Sequence, residues 1–291
     1  MHTIHLPQEM QSACRAARRE GKIVGLVPTM GALHEGHLSL VRTARKQADV
    51  VVVSIFVNPL QFGPNEDFSK YPRSFETDCA KLLAEGVDII FAPHPDDMYA
   101  PGASTTVYVE GLSEKLDGRS RPGHFRGVTT VVAKLFGVVH PDLAFFGQKD
   151  AAQVAIIRKM VHDLNMDIQL VICPIVREKD GLAMSSRNSY LSAQQRTQAL
   201  CLHHSLERVR ELTEKGETSA KTLVSAGKQA IAEEPAAKLD YYEIVNPDTL
   251  EPVADINSGA LVAVAAWIGE TRLIDNLVLG ADKNSKAKLK G

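Results

Sequence analysis

The chain has 291 residues, 44% of them hydrophobic, and a formal net charge of −2 from 33 basic and 35 acidic side chains. It is long enough for one large core or two modest ones, and lacks the basic excess of a general nucleic-acid or anionic-membrane binder. Cys14, Cys79, Cys173 and Cys201 are scattered, with no C-x-x-C pair, and suggest neither a metal knuckle nor a disulfide framework. The start, Met-His-Thr-Ile-His-Leu-Pro, has no basic and apolar regions of a secretory signal, and the apolar runs are too short to span a bilayer. A reducing cytoplasm is the expected compartment, and Lys283 to Lys290 reads as a solvated basic end.

Lys22 to Val27 reads as a strand, broken by Pro28 and Gly31. A helix follows from His34 to about Gln47, with Leu38, Val41 and Ala44 three apart. Asp49 to Val57 is nearly continuous in β-branched residues, as in a strand buried on both faces of a parallel sheet, and Asn58-Pro59 ends it. Leu60 to Pro72 is loop-like; Ser74 to Glu85 is a helix closed by Gly86; Val87 to Ala92 is a strand. Pro93 to Gly127 is irregular and includes a basic, glycine-punctuated loop, Gly118 to Gly127. Val128 to Val139 and Ala151 to Leu164 are helical, and Leu143 to Phe146 and Ile168 to Ile172 are strands. This alternation implies βαβ units and a doubly wound parallel sheet.

The grammar changes after Val176. Ser192 with Gln195 forms a capping-box pattern opening a helix to Lys215, and a second helix runs from Ser219 to Glu234. Tyr241 to Val245, Leu261 to Trp267 and Leu273 to Leu279 are strand-like. The expected architecture is a Rossmann-like α/β domain over residues 1–176 and a smaller α+β domain over 177–291.

Four segments could carry chemistry. His34-Glu-Gly-His37 lies where a strand becomes a helix, and exposed N–H groups at a helix start favour a phosphate. The helix dipole there favours neutral imidazoles, each with an N–H to donate. Capping and packing is the alternative for these histidines; a zinc site, with His124 as a further ligand, is another. In Phe146-Gly-Gln-Lys-Asp150, Lys149 could neutralise a phosphate and Asp150 could bind a ribose hydroxyl, or the pair could be an ordinary charged helix start. Met184-Ser-Ser-Arg187 suits a mobile phosphate clamp, or is simply a hydrogen-bonded turn. Asn58-Pro-Leu-Gln61 offers neutral amides that orient a hydroxyl or carboxylate without a competing charge. Arg119, Arg121 and Arg126 look like anion binders. Three of the four segments fall at strand C-termini and the fourth on a junction loop, so a sheet-edge crevice would gather them.

Pro28 to His37, Phe56 to Phe62, Arg121 to Gly127, Phe146 to Asp150 and Asp180 to Asn188, in that order, resemble the pantoate–β-alanine ligases, within a broader H-x-G-H nucleotidyl-transfer superfamily. The resemblance implies two steps: pantoate carboxylate attacks the α-phosphate of ATP, and the β-alanine amine then attacks the acyl carbon of pantoyl adenylate. It places Met30, Gly31, Ala32, Leu33, His34, Glu35, Gly36 and His37 on ATP, with His34 and His37 on the phosphates as catalytic groups. Gly147, Gln148, Lys149 and Asp150 would contact the nucleotide, Lys149 catalytically on the phosphates, and Val176 would meet adenine through its backbone. Met184, Ser185, Ser186 and Arg187 would close over the triphosphate. Gln61 and Gln153 would hold pantoate, Gln61 also lying near β-alanine, with Asn58 assisting. Magnesium would accompany ATP, held chiefly by its phosphates, with Asp78 as an outer ligand. A homodimer through the larger domain is also implied. Ala151-Ala152 departs from an aromatic–Gln pair often found there, which bears on local packing. The rival activities are adenylylation of a phosphate ester by the same H-x-G-H group, a tRNA-linked synthetase, and nucleotide binding without catalysis.

Overall fold

A computed structural model describes residues 1–64 and 66–280. The basic end from Lys283 to Lys290 lies outside the described residues. Two compact units emerge: Met1–Gln148 with Ile156–Val176, and Lys149–Ala155 with the chain from Arg177 onward.

The first unit is built on six parallel strands, β1 (His2–Ile4), β2 (Val24–Thr29), β3 (Val50–Ile55), β4 (Ile89–Phe91), β5 (Leu143–Gly147) and β6 (Gln169–Cys173). Their order is β1-β4-β3-β2-β5-β6. Val51, Val52 and Val53 have no exposure, as a strand covered on both faces requires. Helices α1 (Pro7–Arg19), α2 (Glu35–Arg45) and α3 (Phe75–Ala84) lead to the short α4 (Pro95–Met98) and α5 (Asp117–Ser120) and the long α6 (His124–Val139). One core cluster joins Leu40, Val41 and Ala44 of α2 and Leu82 of α3 to Val27, Val51, Val53, Ile90 and Phe145 of the sheet. Gly25 is required where β2 meets that layer, because a Cβ there would lie 2.8 Å from the Ala48 Cβ. From β2 the chain steps outward through β3 and β4, then returns to β5 on the other side. The strand order therefore reverses between β2 and β5, and in such sheets the crevice outside the carboxyl ends at the reversal is the ligand site.

The second unit pairs β7 (Ala237–Val245), β8 (Ala260–Ile268) and β9 (Thr271–Leu279) as an antiparallel sheet. Helix α7 (Ala151–Asp163) begins with residues of this unit; α8 (Ala193–Gln198), α9 (Leu200–Glu214) and α10 (Ala220–Ala232) complete its helices. Leu202, Leu206, Val209, Leu223 and Ile231 of the helices share a core with Tyr242, Val262, Val264 and Leu273 of the strands. Gly227 is where helix and sheet come closest, since a Cβ there would sit 2.1 Å from the Tyr242 ring. Tyr242 passes over it to donate its hydroxyl hydrogen to the Ser205 carbonyl at 3.1 Å. The expected capping box at Ser192 and Gln195 is present, but the single expected helix is interrupted at Ala199.

Two expectations need correction. Residues 1–21 carried no predicted element, yet they form β1 and α1; α1 buries only Met10 and Cys14, a thin signal for periodicity. Gly118 to Gly127, expected as loop, contains most of α5 and the first turn of α6. Among the described residues no helix is long and apolar enough to cross a membrane.

Candidate functional site

At the end of β2 the chain turns through two residues of positive φ, Gly31 at 80° and Ala32 at 51°. A side chain on Gly31 would crowd Ile55 at 3.1 Å and an Asp78 oxygen at 3.2 Å. Ala32, rarely found in this conformation, is held by hydrogen bonds. Its N–H and that of Leu33 each donate to one Asp78 carboxylate oxygen at 2.8 Å. Lys81 donates to the Leu33 carbonyl at 2.5 Å, and the Gly31 N–H donates to Thr29 Oγ1 at 3.2 Å. Asp78 is fully buried, so its carboxylate is committed to this turn.

The turn delivers the two histidines to the start of α2. The Gly36 N–H donates to His34 Nδ1 at 3.1 Å, and the His34 N–H donates to His37 Nδ1 at 3.3 Å. The rings lie close together but tilted, with centroids 4.1 Å apart and planes 39° from parallel. An Nδ1 that accepts from a backbone N–H carries no hydrogen, so each neutral ring bears its proton on Nε2. Capping and donation are therefore performed by opposite edges of the same imidazoles.

At the end of β3, Asn58 is 1% exposed and saturated. Its Oδ1 accepts from the Tyr99 hydroxyl at 2.8 Å and the Leu60 N–H at 3.3 Å; its Nδ2 donates to the Gly127 carbonyl at 3.0 Å and to Gln61 Oε1 at 3.3 Å. Gln61 Nε2 reaches the Met30 sulfur at 2.7 Å, linking this amide to the β2 turn. Behind it, His124 Nδ1 donates to the Gln61 carbonyl at 2.8 Å, since that oxygen can only accept. His124 Nε2 then accepts from Arg121, 3.0 Å away. Burial and the adjacent Arg121 guanidinium push His124 down to about 4. Its one free lone pair, on Nε2, faces a guanidinium, which removes it as a zinc ligand.

Arg121 is paired with Glu66 at 2.6 Å, and Arg126 lies over the Tyr108 ring at 5.0 Å. These two arginines are engaged with groups of distant segments, Glu66 and Tyr108, a correction to the sequence expectation of anion binders. Tyr99, Arg121, Glu66 and His124 were not expected to support Gln61; Arg121 and His124 stood out in the sequence in other roles, and the glycine spacing lets α6 approach. A Cβ on Gly127 would come within 2.2 Å of the Leu60 carbonyl oxygen. The first unit thus brings together Met30 to His37, Asn58, Gln61 and Asp78, with Gly147 and Gln148 at the same carboxyl edge of the sheet.

In the second unit, Lys149 Nζ lies 3.5 Å from Asp150 Oδ1. Ala151 and Ala152 are buried at the start of α7 beside Val154, with half-buried Gln153 between. The departure noted above thus falls at two buried positions. Arg177 leads a tight excursion: the Glu178 N–H donates to the Leu182 carbonyl at 2.8 Å and the Gly181 N–H to the Glu178 carbonyl at 2.9 Å. Asn188 Nδ2 donates to Glu178 Oε1 and the Ala183 carbonyl, both at 3.1 Å, closing the loop that carries Met184 to Arg187. Ser185 caps the turn that follows, its Oγ accepting from the Arg187 N–H at 3.3 Å. Among the described residues there is no group of three or more His, Cys, Asp or Glu side chains arranged to hold a metal.

Residues 2–278 match the family model for pantoate-beta-alanine ligase. The chain belongs to that family. It is 66% identical to a pantothenate synthetase of Koribacter versatilis over 98% of both chains, and 54% identical to one of Acetivibrio thermocellus over 96% of this chain and 99% of the other. The crystal structure of pantothenate synthetase from Thermus thermophilus superposes with a TM-score of 0.90 at 46% identity, covering 95% of this chain and 99% of that one. A pantoate-beta-alanine ligase from Francisella tularensis, solved in complex with beta-gamma ATP and beta-alanine, gives a TM-score of 0.75 at 32% identity over 96% and 97%. Every motif on which the resemblance rests lies inside the matched span.

Proposed function

We infer that this chain joins (R)-pantoate to β-alanine using ATP, releasing pantothenate, AMP and pyrophosphate through pantoyl adenylate. The observation that carries this reading is the family match over residues 2–278, with the paired histidines seated where the sheet reverses. A carboxylate is a poor electrophile. Moving it onto the α-phosphorus forms a C–O–P bond as pyrophosphate leaves, and AMP then becomes the leaving group when the amine attacks the acyl carbon.

In the first unit, Met30 to His37 line the ATP site. With their hydrogens on Nε2, His34 and His37 donate to phosphoryl oxygens and stabilise charge at the pentavalent phosphorus, where little proton transfer is needed. Gln61 presents a neutral amide to pantoate and lies close to where β-alanine arrives; Asn58 acts by orienting Gln61. Gly147 and Gln148 contact the nucleotide, and Val176 meets adenine through its backbone. In the second unit, Lys149 neutralises phosphate charge, Asp150 takes the ribose, Gln153 takes pantoate, and Met184, Ser185, Ser186 and Arg187 cover the triphosphate. Magnesium arrives with ATP, held by its phosphates. Asp78 does not fit as its ligand, because both carboxylate oxygens already accept backbone N–H groups in a fully buried position. A cytoplasmic homodimer completes the reading on the family resemblance.

The phosphate-ester nucleotidyltransferase is disfavoured by the match to curated ligases along nearly the whole chain. Incubation with ATP, pantoate and β-alanine should give AMP and pantothenate in equal amounts. A mass spectrum without AMP would refute the reading.

A further inference from the structure

Strand β9 carries a buried Asp275-Asn276 pair, 4% and 3% exposed, that the adenylation chemistry does not itself require. Consecutive strand residues project to opposite faces, so the two side chains serve different neighbours. On the core-facing side, Asp275 is bidentate to Arg177, with Arg177 Nη1 to Oδ2 at 2.6 Å and Nη2 to Oδ1 at 2.9 Å. Arg177 Nη1 also donates to the Gly181 carbonyl at 3.0 Å, so this ion pair fixes the base of the loop that carries Met184 to Arg187. On the other side, Asn276 Nδ2 donates to the Lys149 carbonyl at 2.9 Å. The two are coupled, since the Asn276 N–H donates to Asp275 Oδ1 at 2.7 Å. Register with β8, Asp275 opposite Val264 and Asn276 opposite Ala263, places both inside an uninterrupted ladder.

We propose that Asp275 and Asn276 form a positioning pair that references both phosphate-contacting segments of the second unit to one rigid strand. The inference rests on the reading of Lys149 and Met184 to Arg187 as ATP contacts. Lys149 sits on a short 3-10 turn and Met184 to Arg187 on a loop, and productive geometry demands a fixed spacing between them. Two adjacent residues of one β-strand supply that spacing. A buried bidentate ion pair and a buried amide give each segment one direction-specific anchor, unlike apolar packing, which tolerates sliding.

The test combines hydrogen exchange with kinetics on the full chain for Asn276→Ala, Asp275→Asn and a same-strand control, Val278→Ala, whose side chain is 37% exposed. Asn276→Ala should speed exchange about tenfold in the peptide covering 147–155, with 177–188 near its original rate. Asp275→Asn should do the reverse, keeping one acceptor oxygen but losing the charge and one of the two bonds from Arg177. Both should raise the KM for ATP about tenfold with the KM for β-alanine within twofold, and Val278→Ala should change neither. Unchanged exchange in Asn276→Ala, or equal acceleration by Val278→Ala, overturns the proposal. If Asp275→Asn fails to fold, Asn276→Ala alone decides it. Should the unaltered chain release no AMP, the ligase reading fails, while the exchange pattern still decides whether the pair anchors the two segments.

Discussion

His34 and His37 each use one ring nitrogen to cap α2 and leave the hydrogen of the neutral ring on the other. Two replacements that keep the cap but differ in whether they carry an N–H toward the Nε2 position separate these jobs. In His37→Asn the side-chain oxygen takes the place of Nδ1, so the cap persists and melting should fall by little. Adenylation should drop on the order of 10²–10³-fold, the cost of deleting one transition-state donor. In His37→Gln the amide oxygen can accept from the His34 N–H, as Gln195 does for Ser192 at the same helix position, while its N–H replaces the Nε2 donor, so melting should fall by little and more activity should remain. Pyrophosphate release and thermal melts on the two variants check this, and equal activity losses would argue that the Nε2 donor contributes nothing. The histidines themselves were legible in the sequence, because H-x-G-H follows a strand end. Asp78 was noticed and misplaced as a metal ligand: its partners are backbone N–H groups 45 and 46 residues away, and no local pattern carries that.

At the scale of elements, the Asn58–Gln61 turn is set by the approach of α6. Gly127 permits contact with the Leu60 backbone, and Asn58 bonds the Gly127 carbonyl. Gly127→Ala should push Gln61 away, raising the KM for pantoate and β-alanine at least tenfold while that for ATP changes less. Steady-state kinetics with each substrate varied in turn gives the answer, and equal rises for all three would place the damage elsewhere. The strands and helices of the alternating region were legible because β-branched runs and three-residue spacing are local. Residues 1–21 and 118–127 were not, since α1 buries two side chains and α5 forms only a single turn. The brace of Arg121, Glu66 and His124 was equally hidden, as its members lie 55 to 63 residues from the residues they hold.

For the whole molecule, that brace makes stability depend on pH. His124 is held at about 4 in the folded chain against an ordinary 6.5, so below 6.5 the unfolded chain binds a proton that the folded chain refuses. Stability should be complete above 6.5 and fall as pH drops toward 4, by an amount on the order of 3 kcal/mol. His203, lowered by its burial and by Arg177, acts in the same direction. Melting temperatures between pH 7 and 4 should decline for the parent chain and decline less for His124→Gln; parallel curves would remove His124 as the cause. The parallel-then-antiparallel grammar was visible as alternation giving way to helices followed by strands. That residues 149–155 group with the second unit was not, because sequence gives no sign of which core a helix start will join.

In the proposed reaction a carboxylate oxygen of pantoate passes to phosphorus and leaves with AMP. Pantoate labelled with ¹⁸O in both carboxylate positions, incubated with the protein, ATP and β-alanine, tests it directly. One labelled oxygen should appear in AMP and one should remain in the amide carbonyl of pantothenate. Unlabelled AMP, or labelled inorganic phosphate in its place, would contradict the account.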